Sequence, residues 1–318
     1  MKKQSLPLLS AIASSTIFAF AFFFTNRAQT AIAGDTLRLL AFRLPTAVLA
    51  MTVLWKLGIF KMSFAGKNLR PLLICGLLVP SIAFVCEFYA LGQGWASSGQ
   101  VAMFYALSPV GITTLGIIWL KERPAPRQYV FMAMSVLGLV IVNWGISFET
   151  THPLGILLPA VAVCCSCFNS ILLRGAARQF AAIETVYVTT SVGAVIYLVL
   201  SLGQHLLTGT MGHFFDGVLT WNFVSGILYL AIVSSVFGFM MSNYMVAQLP
   251  PVVSSSFSGL STILTITVGV WLLGESVRAQ DVAGCCLILA GALLMNAGYR
   301  EPPVSPEAAV ADQAEVCE

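Results

Sequence analysis

The sequence predicts an all-α membrane protein: ten transmembrane helices arranged as two inverted five-helix repeats. Three observations carry that expectation. Hydrophobic residues fill 58% of the 318 positions and charged residues 9%, whereas a soluble domain carries about 25% charged residues. The apolar residues fall in blocks of about 20, the length that crosses a bilayer as a helix. And the chain is written twice. Residues 106–122 (ALSPVGITTLGIIWLKE) and 259–275 (GLSTILTITVGVWLLGE) share Leu107/Leu260, Ser108/Ser261, Thr114/Thr267, Gly116/Gly269, Leu120/Leu273 and Glu122/Glu275 at an offset of 153. Gly138/Gly291, Asn143/Asn296 and Gly145/Gly298 continue the match, and Tyr89/Tyr244 and Gln93/Gln248 echo at 155. Self-similarity of this kind is the mark of duplication.

Taken in order, the apolar blocks cover 6–25, 36–55, 71–92, 97–120, 127–145, 154–173, 184–204, 221–244, 251–273 and 280–299. They are apolar all round, so they are not the alternating strands of a membrane barrel. The first block follows Lys2 and Lys3, as a signal peptide would. It runs long, and no small-residue cleavage site precedes the next block, so it is read as a span. Pro71, Pro153 and Pro251 stand at helix starts, where a missing N–H costs nothing. The repeats are set at 1–146 and 153–299. The segment 300–318, with Pro302, Pro303, Pro306 and several acidic residues, is too polar to pack and is expected to be a disordered cytoplasmic tail.

Lys and Arg orient the chain. With a cytoplasmic N-terminus, the inner segments hold Lys2, Lys3, Lys56, Lys61, Lys67, Arg70, Lys121, Arg123, Arg127, Arg174, Arg178 and Arg300, and the outer segments only Arg27, Arg38 and Arg278. That is a strong positive-inside bias. Both termini are then cytoplasmic, and an odd number of spans per repeat inverts the second copy. Duplication with inversion marks secondary transporters, with the site between the halves near the bilayer midplane.

The motifs also carry a family likeness. The stretch from Leu107-x-Pro109 to Gly116-Ile-Ile-Trp-Leu-Lys-Glu122, and its echo ending Gly269-Val-Trp-Leu-Leu-Gly-Glu275, each close the fourth span of a five-span unit. In this the chain resembles the drug/metabolite transporter superfamily, and within it the EamA-type family, over roughly residues 6–299. The second copy has Thr262 where the first has Pro109. The resemblance implies ten helices, inverted repeats and transport of a small metabolite, without naming the metabolite.

Charges inside a span are costly unless paired or wetted, and mark function by default. Arg43 lies in the second span and Glu87 in the third. They sit about 10 and 8 Å below the outer surface at 1.5 Å per residue, so they can pair or face one cavity. A structural ion pair is the alternative. Glu87 is the candidate for binding a cationic substrate group or a coupling proton, and Arg43 for holding a substrate carboxylate. Glu122 and Glu275 end their helices beside loops and read as structural caps. Pro109 has no N–H to donate, which leaves the Tyr105 carbonyl without its backbone hydrogen bond, and it is the candidate hinge. Gln100, Tyr105 and Ser108 in the fourth span, and Ser254 and Ser258 in the ninth, are expected to face one cavity. Ser254, Ser258 and Thr262 share a helical face, which packing between helices explains more simply than substrate contact does. Tyr89, Asn169, Asn243 and Tyr244 are further polar groups within spans, suited to helix–helix bonds; Tyr89 and Asn243 are kept as substrate contacts.

The eight Cys have no zinc spacing, with Cys164, Cys165 and Cys167 on one apolar helix and Cys285 and Cys286 on another. No GxxxxGK pattern with a following Ser or Thr occurs, so the chain is no ATPase by itself. No metal and no cofactor is expected. The expected partners are a small-molecule substrate, the lipid bilayer and protons; a homodimer is admissible, and the net charge of +3 says nothing of nucleic acid. The leading function is a gradient-driven exporter of an amino-acid-like or drug-like metabolite in a bacterial inner membrane. A nucleotide-sugar or sugar-phosphate exchanger would call for more basic residues in the centre than Arg43. A membrane-embedded enzyme would need clustered His, Asp or Ser with a base, and none is visible.

Overall fold

The computed structural model describes residues 2–119, 126–143, 152–249 and 251–297. Among them the chain is helical throughout, with no strand. The helices are α1 (Lys2–Ala31), α2 (Thr36–Lys56), α3 (Arg70–Gly92), α4 (Ser98–Tyr105), α5 (Ser108–Trp119) and α6 (Pro126–Asn143), followed by α7 (Leu154–Ala176), α8 (Ala182–Leu207), α9 (Trp221–Gln248), α10 (Pro251–Val268) and α11 (Ala279–Ala297). Six of these, α1 to α3 and α7 to α9, are long and apolar enough to cross a membrane. Shorter apolar stretches lie in α6, α10 and α11. The chain is therefore a multi-pass membrane protein.

Local chemistry sets the helix ends. Asp35 accepts from the Arg38 N–H at 3.0 Å and starts α2. Ser97 and Gln100 form a reciprocal capping box at α4, at 3.1 and 2.9 Å. Thr220 caps α9, and Pro71 stands in the first turn of α3. The fourth apolar block divides at Ala106–Leu107 into α4 and α5. Pro109 falls in the first turn of α5, and the Tyr105 carbonyl it leaves without an amide partner accepts from Ser108 Oγ at 2.5 Å. Such side-chain compensation is what allows a break within a membrane helix.

Two helices change winding at mid-length. α3 is π-helical over Leu77–Ile82, where Val79 adopts an extended conformation (φ −138°, ψ 118°) ahead of Pro80, as residues before proline prefer. α9 is π-helical over Tyr229–Gly238. Each turn is braced from a helix of the other half of the chain. Arg43 on α2 donates to Ser235 Oγ (3.1 Å) and Ser234 Oγ (3.3 Å) in α9. Tyr197 on α8 donates its hydroxyl to the Pro80 carbonyl at 3.2 Å and to the Ser81 carbonyl in α3.

α6 and α11 pack tightly through small residues. A Cβ on Gly138 would fall 2.7 Å from the Gly284 carbonyl oxygen, and one on Gly291 2.7 Å from the Phe131 carbonyl oxygen. Gly284 thus faces Gly138 and Val142 while Gly291 faces Ser135 and Phe131, so the two helices run antiparallel. Ser135 Oγ donates to the Ile288 carbonyl at 3.2 Å. The echoed glycines Gly138 and Gly291 thus serve the same helix pair at two separate contacts, and where Gly138 meets Gly284 bare backbone on both sides lets the helices approach.

Candidate functional site

α1, α2, α3, α4, α5, α7, α9 and α10 surround a cavity of about 290 Å³. Its walls are mostly apolar, with aromatic faces from Phe18, Phe22, Phe84, Phe88, Phe239 and Phe257. Hydroxyls come from Ser14, Ser15, Tyr105, Ser108, Ser166, Ser170, Ser234, Ser242, Ser261, Thr262 and Thr265. Among the described residues, two charged side chains line it, Arg43 and Glu87.

Both charges are held rather than loose. Arg43 is 2% exposed, with its guanidinium over the rings of Phe84 and Phe88, 4.8 and 5.2 Å from their centres. Cation–π contact of this kind offsets part of the cost of burial. Its Nε and Nη2 reach Ser235 and Ser234, and its Nη1 has no hydrogen-bond partner. Glu87 is 7% exposed and its Oε2 accepts from the Tyr105 hydroxyl at 2.8 Å. Arg43 and Glu87 do not form one of the ion pairs among the described residues. Chemically, the arrangement offers a spare cationic donor, an anionic acceptor and apolar walls within one cavity.

The residues marked by sequence divide into several groups. Arg43, Glu87, Tyr105 and Ser108 come together at the cavity. Gln100 lies in the capping box of α4. Tyr89 is 40% exposed and meets Trp95 edge-on at 5.4 Å between ring centres. Asn243 lines a smaller crevice beside the cavity, as does Asn169, whose Oδ1 is buried without a partner. The side chains of Ser254 and Ser258 lie outside the described set, and so does Glu122. Glu275 is a cap, though not of the helix that follows it: it accepts from Ser98 N (3.0 Å), Ser98 Oγ (2.8 Å) and Gly99 N (3.4 Å) at the start of α4. Among the described residues no cluster of His, Cys, Asp or Glu is arranged to hold a metal ion.

Comparison with known proteins agrees with this architecture. The EamA-like transporter family matches the chain twice, over residues 5–144 and 153–297. The chain belongs to the EamA-like transporter family. An uncharacterized transporter of Bacillus subtilis, YcxC, is 30% identical over 310 residues, covering 96% of this chain and 98% of the relative. A probable amino-acid metabolite efflux pump of Salmonella typhimurium is 23% identical over 286 residues, covering 79% of this chain and 94% of its own. A solved crystal structure superposes with a TM-score of 0.61 at 17% identity, over 94% of this chain and all of that one; at that identity it supports the fold alone. As an EamA-like protein the chain is a membrane transporter, not an enzyme, and works on a small molecule across the bilayer.

Sequence reasoning passed over Ser14, Ser15, Ser166, Ser170, Ser234 and Ser242. The doublets Ser14–Ser15 and Ser234–Ser235 inside apolar blocks were a usable signal. A lone hydroxyl in a span bonds back to its own helix, as Ser166 does to the Ala162 carbonyl at 2.9 Å, so its type alone does not tell cavity from packing.

Proposed function

We propose that this EamA-like chain is a gradient-driven secondary transporter that exports a small metabolite, amino-acid-like or drug-like, across a bacterial inner membrane. The observation that carries the reading is the pair Arg43 and Glu87: two buried charges facing one cavity without pairing, one of them with a spare donor. Burying charges that do not neutralise each other is costly. A ligand bearing both a carboxylate and an amine would satisfy them, and its apolar body would meet the phenylalanine walls. The name of the Salmonella relative supports both the direction and the class of solute.

Ten spans in two inverted halves, 1–146 and 153–299, with both termini cytoplasmic, form the frame of this proposal. The double family match supports it. So do the antiparallel packing of α6 and α11 and the reciprocal bracing of α3 and α9. The distribution of Lys and Arg supports the orientation. Glu87 is the proton carrier in this reading, since it is the carboxylate in the cavity wall.

The test is counterflow and pH-driven flux in proteoliposomes, screening amino acids and amphipathic drugs. Glu87→Gln keeps the hydrogen-bonding shape and removes the charge. Flux is expected to fall at least about tenfold, since a charge-assisted contact is worth about 1.5–3 kcal/mol, and the remaining flux should lose its dependence on pH while the protein stays monodisperse. Normal flux with an unchanged pH profile would end the proposal.

A further inference from the structure

A second cavity lies against the first. It is small, about 20 Å³, room for a single water. Its lining includes Asn169, Asn243, Thr189, Thr190 and Ser235, with no charged side chain among its walls. Val79, Phe84 and Phe239 line both spaces. These three side chains are thus the partition between them, and the Phe84 and Phe239 rings meet at 5.9 Å, tilted by 37°.

The position of the partition is mechanically distinctive. Val79 belongs to the π-helical turn of α3, and Phe239 directly follows that of α9. Both halves of the wall therefore sit on backbone whose regular ladder is already interrupted, where helices bend at least cost. Beyond the crevice is a further closure. Thr185, also in its wall, adjoins Glu184, which accepts from Ser63 N at 2.7 Å and Lys67 Nζ at 2.6 Å. Lys67 in turn lies over Phe180, 5.3 Å from its ring centre. Central cavity, aromatic partition, uncharged crevice and basic-loop clasp lie in series.

We propose that Val79, Phe84 and Phe239 form a gate between the central cavity and the Lys67 loop, and that the crevice behind it, room for one water while the gate is closed, widens into an uncharged station for solute when the gate opens. Its amide and hydroxyl groups suit the neutral hydrogen-bonding part of a polar solute. Asn169 Oδ1, buried and unpartnered, is the acceptor left for that solute or for the water it displaces. The gate is apolar because a closed contact between phenylalanine rings excludes water without holding charge, and it opens when either bent helix shifts. The inference rests on the central cavity being the transport site, but its test needs no substrate.

Single thiols are introduced by Asn243→Cys in the crevice and Ser242→Cys in the central cavity, in a chain whose native Cys are replaced by Ala. A membrane-impermeant cationic methanethiosulfonate is applied from the side of the Lys67 loop. With the gate intact, the thiol at position 243 should react at least about tenfold faster than the one at 242, a ratio that corresponds to one decade of opening equilibrium. Phe239→Ala, and separately Phe84→Ala, should bring the two rates together, whereas Phe239→Leu should preserve most of the difference. Gel filtration restricts the comparison to folded variants, and two independent alanine variants guard against one failing to fold. Equal rates with the gate intact, or an undiminished ratio in the alanine variants, would overturn the gate. Loss of flux in Glu87→Gln bears on the central site and leaves this readout unmoved.

Discussion

The two braced turns, one in α3 and one in α9, occupy matching places in the two copies and are held differently. In α3 the acceptors are the backbone carbonyls of Pro80 and Ser81, and the donor is the neutral hydroxyl of Tyr197. In α9 the acceptors are the hydroxyls of Ser234 and Ser235, and the donor is the Arg43 guanidinium. Tyr197 is 1% exposed and does not line the cavity. Arg43 lines it and keeps a donor free. The same split recurs at the carboxylate: at the offset of 155, Glu87 stands opposite Ser242, and both line the cavity. Duplication supplied a scaffold with reciprocal braces. Both cavity charges stand in the first copy, and the neutral Ser242 stands in the second where Glu87 stands in the first.

The largest test of that comparison is Arg43→Gln. Glutamine can still bond Ser234 or Ser235, so the brace survives in weakened form while the charge and the spare donor are lost. Loss of a charged contact to solute is worth up to about 3 kcal/mol, and transport should drop about a hundredfold, read as initial flux in proteoliposomes. The protein should remain folded by gel filtration. If Arg43→Gln transports at the wild-type rate, Arg43 is merely a brace like Tyr197 and the asymmetry has no functional content.

How far the sequence foretold these features differs by kind of interaction. Helical spans were readable because a bilayer demands long apolar blocks, and the break at Ala106–Leu107 was announced by Pro109. Arg43 and Glu87 stood out because charge is rare in such blocks. Gln100 was read as a cavity wall for its polarity, whereas three residues of separation from Ser97 make it the other half of a capping box; that pairing was available and was passed over. The braces were not legible. They join positions 191 and 192 apart in one case and 117 and 116 apart in the other, and an all-round apolar helix gives no periodic signal to say which face looks at which neighbour. The partition Val79–Phe84–Phe239 was hidden for the same reason.

A middle-sized effect probes the scaffold that both copies share. Gly138→Ala and Gly291→Ala each insert a methyl group where the neighbouring backbone leaves no room, and the neighbour met first differs: the Gly284 carbonyl in one case, Ser135 Oγ in the other. Overpacking of this kind costs about 1–3 kcal/mol. Thermal midpoints in detergent should fall in both variants by similar amounts, because the two glycines serve the same antiparallel pair of helices. A large loss in one and none in the other would show that this helix pair is not balanced across the two copies.

The smallest and most discriminating change is Tyr197→Phe. It removes one hydroxyl and no volume to speak of, so the aromatic ring still packs in the cluster with Leu40, Leu44, Phe84 and Phe88. What is lost is the donor to the Pro80 and Ser81 carbonyls at the turn of α3. A neutral buried hydrogen bond contributes about 1 kcal/mol net, and the thermal midpoint should fall by the few degrees that this represents for a chain of this length. Flux through the cavity should stay near wild type, since Tyr197 packs behind the wall and does not itself line the cavity. The contrast with Arg43→Gln is then a clean one, with stability lost on one side and transport on the other. Should Tyr197→Phe instead reduce flux as severely as Arg43→Gln while the fold holds, the two braces would be equal partners in moving the bent helices. The charge on Arg43 would then matter for motion and not for solute, and the substrate's anionic end would have to be sought elsewhere in the cavity.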